Sequence, residues 1–462
     1  MPLADDYSQR LCEQLALWRY ADLPPEVVRM LKLFMIDTLG VIAAAANAEG
    51  IRELNQRLSR WEAGGAATGL IGKRRYSPPT AALANGTAAH ALDFDDQHDP
   101  ARVHTNCVVL PTLLATAEDI GQVSGRGFLL AYAISAELNA RLGLACQNSM
   151  GKGWQPTMVF GTPSASLGAA SLLKLDAEGM RNALGMAFHQ TSGSTQSARD
   201  GVLSKRLGAG FAARAAVLGA FLAADGLTGT RRPLEGNAGL FSLYERDEVN
   251  TELITAGLGS HWRITEYSFK PYPCCRCTHT PIGLGIRLRE QGVTPGDVRD
   301  VEIGMGRLNW LQVGQPYDVT RNSVVHAQFS AAYTFARALA DQRVDLRSFA
   351  PAAIIDPAVA ALAAKVRVVD DPAIDPAALD PARVKVTLND GKIIRVTSDT
   401  IKGGPAEPMS EEEVLEKFCD CLDYGVGAKR ADADRLAEAI MHIDSAEDAG
   451  AAIVAAFPQG NC

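Results

Sequence analysis

The spacing of apolar residues changes near residue 263, and this change constrains the fold more than any other feature of the chain. Before it, Ala-rich stretches follow helical periodicity. Several of them are apolar on nearly every face, as expected for helices buried in a large bundle. We predict helices at about 25–46, 79–92, 108–120, 125–145, 161–174, 177–190 and 203–224.

After residue 263, short segments alternate between apolar and polar residues as β-strands do. The predicted strands are WRITEYSF (262–269), VRDVEIGM (298–305), and the two arms of a hairpin, VKVTLND (384–390) and IIRVTS (393–398), joined through Asp390 and Gly391. Helical patterns near 278–291 and 325–341 lie between them. This part of the chain is therefore predicted to be an α+β domain.

Helical patterns return toward the end of the chain. Ser410 and Glu413 form a capping-box signature for one helix, and about 431–457 is helical again. A length of 462 residues favours two or three domains. We predict a mainly α protein, with a large helical domain formed by 1–264 and 404–462 and a smaller α+β lid domain formed by 265–403.

The overall charge argues against several classes of partner. The formal net charge is −8 and the pI is about 5.6, which is not typical of a protein that binds nucleic acid or a membrane surface. The longest charge-free stretch, from Trp154 to Leu173, is interrupted by Pro156 and Pro163 and is not a convincing membrane span. An anionic substrate would need a local cluster of cations.

The N-terminal residues and the cysteines indicate a cytoplasmic protein. The start, MPLADDYSQR, has acids where a secretory signal has bases. Nine cysteines, an odd number, fit a reducing compartment better than a disulfide framework. Cys274 and Cys277 form a CxxC without a second pair at zinc-finger spacing, so we predict no metal.

The run DFDDQHDPARVH (93–104) contains four aspartates and two histidines within twelve residues. Such a cluster can position and tune a proton carrier, with His104 as the candidate. The alternative is a solvated turn between two helices.

A second candidate is the start of the helical pattern at 204–224, where Lys205 and Arg206 together with a helix N-terminus would make an anion site. The alternative is an exposed basic helix start. Gly208, Gly210 and Ala213 match GxGxxA, but no strand precedes them, so close helix packing is favoured over dinucleotide binding.

The segment FKPYPCCRCTHTP (269–281) places Lys270 and Cys275 at the boundary between the two patterns. Cys275 is either an acid/base thiolate or a buried, inert thiol. Tyr333 is either a core residue or a phenol aimed into a cleft. Gln155 lies in a Gly/aromatic loop (151–161) that suggests a binding wall.

Motifs for hydride transfer, phosphoryl transfer and serine hydrolysis are missing from the sequence: it has no Rossmann fingerprint in its proper context, no P-loop and no GxSxG. Side-chain acid/base chemistry without a cofactor remains.

Several segments together resemble the MmgE/PrpD family, whose members include 2-methylcitrate dehydratase, cis-aconitate decarboxylase and iminodisuccinate epimerase. They occur in family order and are ALDFDDQHDPARVHTNCVVLP (91–111), the G-W-x-P-T…G loop (153–161), RDGVLSKRLGAG (199–210), DGLTGTRRPLEGNAGLF (225–241), FKPYPCCRCTH (269–279) and AQFSAAY (327–333).

The resemblance implies a large helical domain with an α+β lid, assembled as a homodimer, with the site in the cleft between domains. It also implies proton transfer next to a carboxylate of a small di- or tricarboxylic acid, without a metal or cofactor. The positions that fall on the family's active site are Asp93, His104, Lys205, Lys270 and Tyr333.

Three residues differ from the family pattern, and the differences favour an epimerase over a decarboxylase. Gln97 stands where similar decarboxylases have a threonine, and Cys275 and Gln155 stand where histidines are expected. These differences argue against decarboxylation of cis-aconitate. An epimerase of iminodisuccinate type, an isomerase, is the first expectation. The alternatives are a hydro-lyase of 2-methylcitrate dehydratase type, a catalytically silent carboxylate-binding protein, and a metal-dependent lyase whose ligands would be Asp95, Asp96, His98 and His104.

On this hypothesis His104 is the base and Asp93 sets its tautomer. Lys205, Arg206 and Lys270 would hold carboxylates, with Gln97 and Gln155 also in contact with substrate. Tyr333, Cys275 or a lysine would supply the second acid/base group.

Overall fold

The structure is a computed structural model that describes residues 6–62, 64–148 and 152–459, and the chain divides into two compact units. The first unit comprises the chain up to Thr195, Arg206–Tyr267 and the chain from Ser410. The second comprises Gln196–Lys205 and Ser268–Met409. The predicted mainly α class with a small sheet domain is confirmed. The predicted domain boundaries differ from this division chiefly in assigning Gln196–Lys205 to the helical part.

The described residues of the first unit form mostly helices, together with a short antiparallel pair of strands, Ala67–Gly69 and Arg74–Tyr76. Its described helices are Tyr7–Ala16, Pro25–Ala44, Ile51–Trp61, Pro78–His90, Asn106–Ile120, Gly125–Ala145, Pro156–Leu172, Ala177–Phe188, most of Ser204–Ala224, Leu240–Glu245, Glu252–Thr255, Glu411–Val426, Arg430–Met441 and Ala449–Ala456.

Local sequence explains where many of these helices begin. Proline occupies the first turn of several, for example Pro25 and Pro78, where its missing N–H is not needed. The Ser410 side chain accepts from the Glu413 N–H in the predicted capping box. The helices that the apolar periodicity predicted in this unit are present, and they begin and end close to the predicted residues.

The helix Ser204–Ala224 packs closely against Pro78–His90 because both contain glycine at the crossing. A Cβ atom at Gly210 would lie 2.4 Å from the Leu83 carbonyl oxygen. A Cβ atom at Gly86 would lie 3.0 Å from the Gly210 Cα. The helix-packing interpretation of the GxGxxA match is therefore confirmed. By length and composition, Ser204–Ala224 could also cross a membrane, but 61% of its apolar stretch is buried within the structure, as in a core helix.

The second unit has a four-stranded sheet covered on one face by helices. The strand order is Val366–Asp370, Val298–Met305, Ala382–Leu388, Ile393–Ser398, with the first pair parallel and the other two pairs antiparallel. Its helices are Gln196–Asp200, His279–Glu290, Arg307–Val313, Val324–Gln328, Ala331–Asp341, Pro351–Ile354 and Pro357–Ala363. The predicted hairpin is confirmed, and Gly391 in its turn has φ of 87°.

Two of the elements predicted after residue 261 are wrong, one in each unit. Residues 262–269 contain a 3-10 helix, Arg263–Glu266, which packs on the helices Pro25–Ala44 and Gly125–Ala145 rather than beside a strand. The helical pattern at 325–341 is two helices, because the Ser330 side chain accepts from the Tyr333 N–H and starts a second helix there.

Candidate active site

The segment DFDDQHDPARVH connects the helices Pro78–His90 and Asn106–Ile120 and is buried rather than solvated. Asp95, Asp96 and His98 have no exposed surface. The alternative of a solvated turn is therefore wrong. Burying ionisable groups is costly unless they are paired or hydrogen-bonded, so their density here marks the segment as a candidate site.

His98 belongs to the turn inside this segment. Its backbone N–H donates to the Val103 carbonyl at 2.9 Å, and its Nδ1 accepts from the Ala101 N–H at 3.2 Å. Its Nε2 lies 3.5 Å from Glu266 Oε2. Burial opposes ionisation of Glu266, but its contacts with His98, His261 and Arg263 lower its pKa to about 2. His98 thus shapes and anchors the turn.

The backbone holds His104 in one tautomer. Its Nδ1 lies 2.8 Å from the carbonyl oxygen of Asp96. A carbonyl can only accept, so Nδ1 carries the proton and the neutral ring keeps its lone pair on Nε2. A backbone carbonyl, that of Asp96, is therefore the acceptor at Nδ1, and a contribution of Asp93 to setting the tautomer stays a prediction. With its side chain 14% exposed, His104 has the form of a neutral base.

His90, which sequence reasoning missed, lies beside His104. The two ring centroids are 5.1 Å apart. Asp95 Oδ2 lies 2.8 Å from His90 Nδ1 and 3.7 Å from His104 Nδ1, so one carboxylate oxygen faces both imidazoles. The only signal in the sequence was a histidine ending an Ala-rich helix five residues before an aspartate.

Asp96 caps the helix that follows the segment. Its oxygens accept from the backbone N–H groups of Thr105 at 3.3 Å and Asn106 at 3.1 Å. Burial and the nearby carboxylates Asp95 and Asp37 raise the pKa of Asp96 to about 8, although the two N–H donors oppose this. Asp96 is therefore mostly protonated at neutral pH.

Lys417, from the C-terminal part of the chain, anchors the segment. Its Nζ donates to the Phe94 carbonyl at 2.8 Å, lies 2.7 Å from Asp37 Oδ1, and is 3.9 Å from the centroid of the Phe94 ring. Both charged side chains are almost completely buried. A single ammonium group therefore fixes Phe94, between Asp93 and Asp95, through an ion pair, a hydrogen bond and a cation–π contact.

A buried chain of hydrogen bonds fixes Thr105, the residue after His104. Asn139 Nδ2 donates to Thr105 Oγ1 at 2.7 Å. The Tyr267 hydroxyl donates to the Ala136 carbonyl at 2.9 Å, so the Thr105 hydroxyl, 2.7 Å away, donates to the Tyr267 oxygen. The backbone around His104 is thus held from both sides.

Asp93 and Arg206 are both buried in the first unit. Asp93 has φ of 53°, a left-handed conformation that aspartate tolerates better than most residues. The Arg206 guanidinium donates to the Glu49 carbonyl at 2.7 Å. Burial lowers the pKa of Arg206, whereas the charges of Glu49 and Asp93 oppose this. Asp93 and Arg206 therefore attract one another.

The two glutamines proposed to contact substrate have local roles. Gln97 is buried, and its side-chain amide donates to Asp99 Oδ1 at 3.1 Å. Gln155 is half-buried and starts the helix Pro156–Leu172, with its backbone N–H bonded to the Gly193 carbonyl at 3.2 Å. Their contact with a substrate stays a prediction.

Three more candidates lie in the second unit. Lys205 Nζ is 5.2 Å from the centroid of the Phe329 ring, and the side chain is mostly buried. Lys270 is fully buried. Cys275 is half-buried and is not part of a disulfide, and its backbone N–H donates to the Gln328 carbonyl at 3.0 Å. The two lysines remain candidates for binding substrate carboxylates, and the Cys275 thiol remains a candidate acid/base group.

Tyr333 requires a correction. Its side chain is fully buried in the core of the second unit, and its hydroxyl donates to the Ser348 carbonyl at 2.5 Å and accepts from Arg337 Nε at 3.2 Å. Burial raises the pKa of Tyr333, with Arg337 opposing it. A phenol whose only proton is held by a backbone carbonyl is a core residue, so the catalytic assignment is not supported by these contacts.

Among the described residues, one group has the composition of a metal site, formed by His90, Asp95 and Cys107, whose ligand atoms lie within 4.8 Å of one another. All three are buried. The distance of 2.8 Å between His90 Nδ1 and Asp95 Oδ2 is that of a hydrogen bond. Ligation of a cation through His90 Nδ1 would require this hydrogen bond to be broken.

Curated relatives cover most of the chain. It is 26% identical over 459 residues to cis-aconitate decarboxylase-like protein oryM of Aspergillus oryzae, covering 95% of this chain and 94% of that protein. It is 28% identical over 419 residues to cis-aconitate decarboxylase of Aspergillus terreus, covering 86% and 85%. It is 28% identical over 412 residues to the Homo sapiens cis-aconitate decarboxylase, covering 86% and 83%.

These relatives are enzymes by name and support an enzymatic role for this chain without pointing to an epimerase. Residues 9–252 match the MmgE/PrpD N-terminal domain, and residues 272–443 match the MmgE/PrpD C-terminal domain. With both domains matched in order over most of its length, the chain belongs to the MmgE/PrpD family.

Proposed function

We propose that the protein transfers a proton at the carbon next to a carboxylate of a small di- or tricarboxylic acid, without a cofactor. The observation that carries this proposal is the fixed tautomer of His104, whose Nδ1 proton is held by the Asp96 carbonyl at 2.8 Å. A histidine held in this way presents Nε2 as a base of nearly neutral strength.

The surroundings of His104 suit this chemistry. Removing a proton next to a carboxylate builds up negative charge on the substrate and positive charge on the base. Asp95 Oδ2, 3.7 Å from His104 Nδ1, favours the imidazolium that forms. Substrate carboxylates need fixed cations, and we keep Lys205, Arg206 and Lys270 as the candidates for this role.

Within this class we propose epimerisation of an iminodisuccinate-type substrate as the first reaction to test. The replacement of expected family residues by Gln97, Cys275 and Gln155 supports it. An epimerase returns the proton to the opposite face of the same carbon, and a half-buried thiol such as Cys275 is a candidate donor. A hydro-lyase, which expels water after the same proton abstraction, is the alternative.

The names of the relatives support a second candidate, decarboxylation of a cis-aconitate-like tricarboxylate. In that reaction a carbon–carbon bond breaks, CO2 leaves, and the electron pair left on the substrate takes up a proton. The same histidine would act as the acid rather than the base. At identities of 26–28% the two reactions are best separated by experiment.

The test is to incubate the protein in heavy water with iminodisuccinate, 2-methylcitrate and cis-aconitate and to follow each by NMR. Deuterium incorporation with inversion and no alkene identifies an epimerase. A new alkene with loss of water identifies a hydro-lyase, and release of CO2 identifies a decarboxylase. A protein that turns over none of them but is stabilised by one against heat is a silent carboxylate-binding protein.

His104→Asn is the decisive variant, because the asparagine amide retains a donor to the Asp96 carbonyl but lacks the proton-accepting nitrogen. We expect turnover to fall by roughly a hundredfold or more while the protein stays folded. His442→Asn, at an exposed histidine, is the matched control. Equal turnover by both variants would refute the proposal.

Two further expectations complete the proposal. From the N-terminal residues and the cysteine content we propose a cytoplasmic location, and from the family resemblance we propose a homodimer. Light scattering on the purified protein measures its mass directly, and a monomer at working concentration would contradict the expectation.

A further inference from the structure

We propose that His90 and Asp95 form a positioning pair for His104, in which His90 holds the Asp95 carboxylate in its charged form so that this charge supports proton uptake by His104. This inference rests on the proposed function, since it assigns a role to neighbours of the proposed base. His90 touches no reacting atom in this scheme and is a positioning residue.

The geometry defines the direction of each contact. His90 Nδ1 lies 2.8 Å from Asp95 Oδ2, and a carboxylate accepts, so His90 donates. The same oxygen is 3.7 Å from His104 Nδ1, too long for a normal hydrogen bond but close for an ion pair. His104 Nδ1–H donates a hydrogen bond to the Asp96 carbonyl. Asp95 therefore acts on His104 through its charge.

A purely packing role for His90 fits the structure poorly. The residue is 1% exposed, and its Nε2 has no hydrogen-bond partner. An unpartnered buried nitrogen destabilises the fold, and a leucine of similar size would avoid that loss. The hydrogen bond from His90 Nδ1 to Asp95 explains why a histidine occupies this position.

Without that donor, Asp95 would be harder to ionise. Its side chain is fully buried, and the neighbouring Asp96 is itself held mostly protonated. A neutral Asp95 would no longer favour the imidazolium form of His104. The titration midpoint of His104 would then fall, and so would its strength as a base.

Within the described part of the first unit, titratable groups close to His104 come from three elements. His90 ends the helix Pro78–His90, Asp95 and Asp96 belong to the connecting segment, and Cys107 begins the next helix, where its Sγ donates to the His104 carbonyl at 3.5 Å. A change in the titration of His104 must therefore be assigned among these neighbours, which requires variants that differ in a single hydrogen bond.

His90→Asn and His90→Leu are such a pair, because the asparagine amide can donate where Nδ1 does and leucine cannot. Imidazole nitrogen NMR reports the tautomer and the titration of each histidine, and the protein has only 8 of them. The His104 signal is assigned with His104→Asn. We expect its midpoint to fall by about one pH unit or more in His90→Leu and to stay near the wild-type value in His90→Asn.

Turnover supplies a second measurement. In His90→Leu we expect kcat to fall roughly ten- to a hundredfold with little change in KM, and the acidic limb of the pH profile to move to lower pH. His90→Asn should recover most of kcat. Asp95→Asn should reproduce the NMR shift of His90→Leu. Equal His104 midpoints in wild type and a folded His90→Leu would overturn the inference.

The NMR titration also separates this inference from the proposed function. If the wild-type protein turns over none of the acids, the proposed function fails, but the shift of the His104 midpoint can still be measured. If turnover is found and His90→Leu leaves both the midpoint and kcat unchanged, the positioning role fails and the proposed function stands. Should His90→Leu not fold, Asp95→Asn decides the question by the same NMR measurement.

Discussion

Replacing Lys417 with methionine should destabilise the first unit more than any surface substitution. Methionine keeps most of the length of lysine but removes its charge. The change takes the counter-ion from Asp37, whose side chain is fully buried, and the donor from the Phe94 carbonyl at 2.8 Å. It also removes the cation–π contact with the Phe94 ring.

The expected loss can be derived from these contacts. Removing one partner of a buried ion pair costs about 3–5 kcal/mol, because the remaining charge stays in a low-dielectric interior. Replacing both partners with apolar residues of similar size is often nearly neutral. We therefore expect Lys417→Met to lose about 3–5 kcal/mol of unfolding free energy and Lys417→Met with Asp37→Leu to recover most of it.

The measurement is a double-mutant cycle by denaturant unfolding, with Asp37→Leu as the fourth corner and the exposed Lys429→Met as a control. Reversibility must be established first, since large proteins often unfold irreversibly. If Lys417→Met costs less than about 1 kcal/mol, as a surface ion pair would, or if the two single changes simply add, the assignment of a strongly coupled buried pair is wrong.

Three shorter predictions concern pH, the core and metals. In the folded protein the pKa of Asp96 is raised to about 8, against about 3.9 in the unfolded chain. The stabilisation that protonated Asp96 provides is therefore complete below pH of about 3.9 and is lost at about 1.4 kcal/mol per pH unit as the pH rises toward about 8. Asp96→Asn should flatten this slope when unfolding free energy is measured as a function of pH. Tyr333→Phe should cost about 1–2 kcal/mol in unfolding measurements and leave kcat unchanged, whereas a hundredfold loss of kcat at unaltered stability would restore Tyr333 as an acid. Treatment with a strong chelator should leave turnover unchanged; loss of turnover, recovered by adding a divalent metal, would favour ligation by His90, Asp95 and Cys107.

Local pattern was enough to predict most of the fold. Helices such as Gly125–Ala145 follow from apolar periodicity, and the turn at Asp390 and Gly391 determines the register of the hairpin. The strand Val366–Asp370 was missed because it is short and pairs in parallel with a strand more than sixty residues earlier. A parallel partner leaves no turn signal in the sequence.

The candidate site was predictable only in part. Motif resemblance pointed to His104 and Asp93, but the tautomer of His104 depends on a backbone carbonyl, which carries no residue identity. Lys417 was missed because it lies in a charged, amphipathic helix where a lysine is normally solvated, and its contact with Phe94 spans 323 residues. Such long-range contacts are set by packing.

The long sequence separation between Lys417 and its partners Asp37 and Phe94 also has a consequence for protein synthesis. Asp37 leaves the ribosome long before Lys417 is translated, and at about 5–20 residues per second the interval is on the order of half a minute. Throughout it the nascent helical bundle cannot bury Asp37 with its final counter-ion. Until the helix Glu411–Val426 has been synthesised, Asp37 and the Phe94 carbonyl therefore lack their partner Lys417, and we expect this part of the nascent chain to stay hydrated and accessible to chaperones.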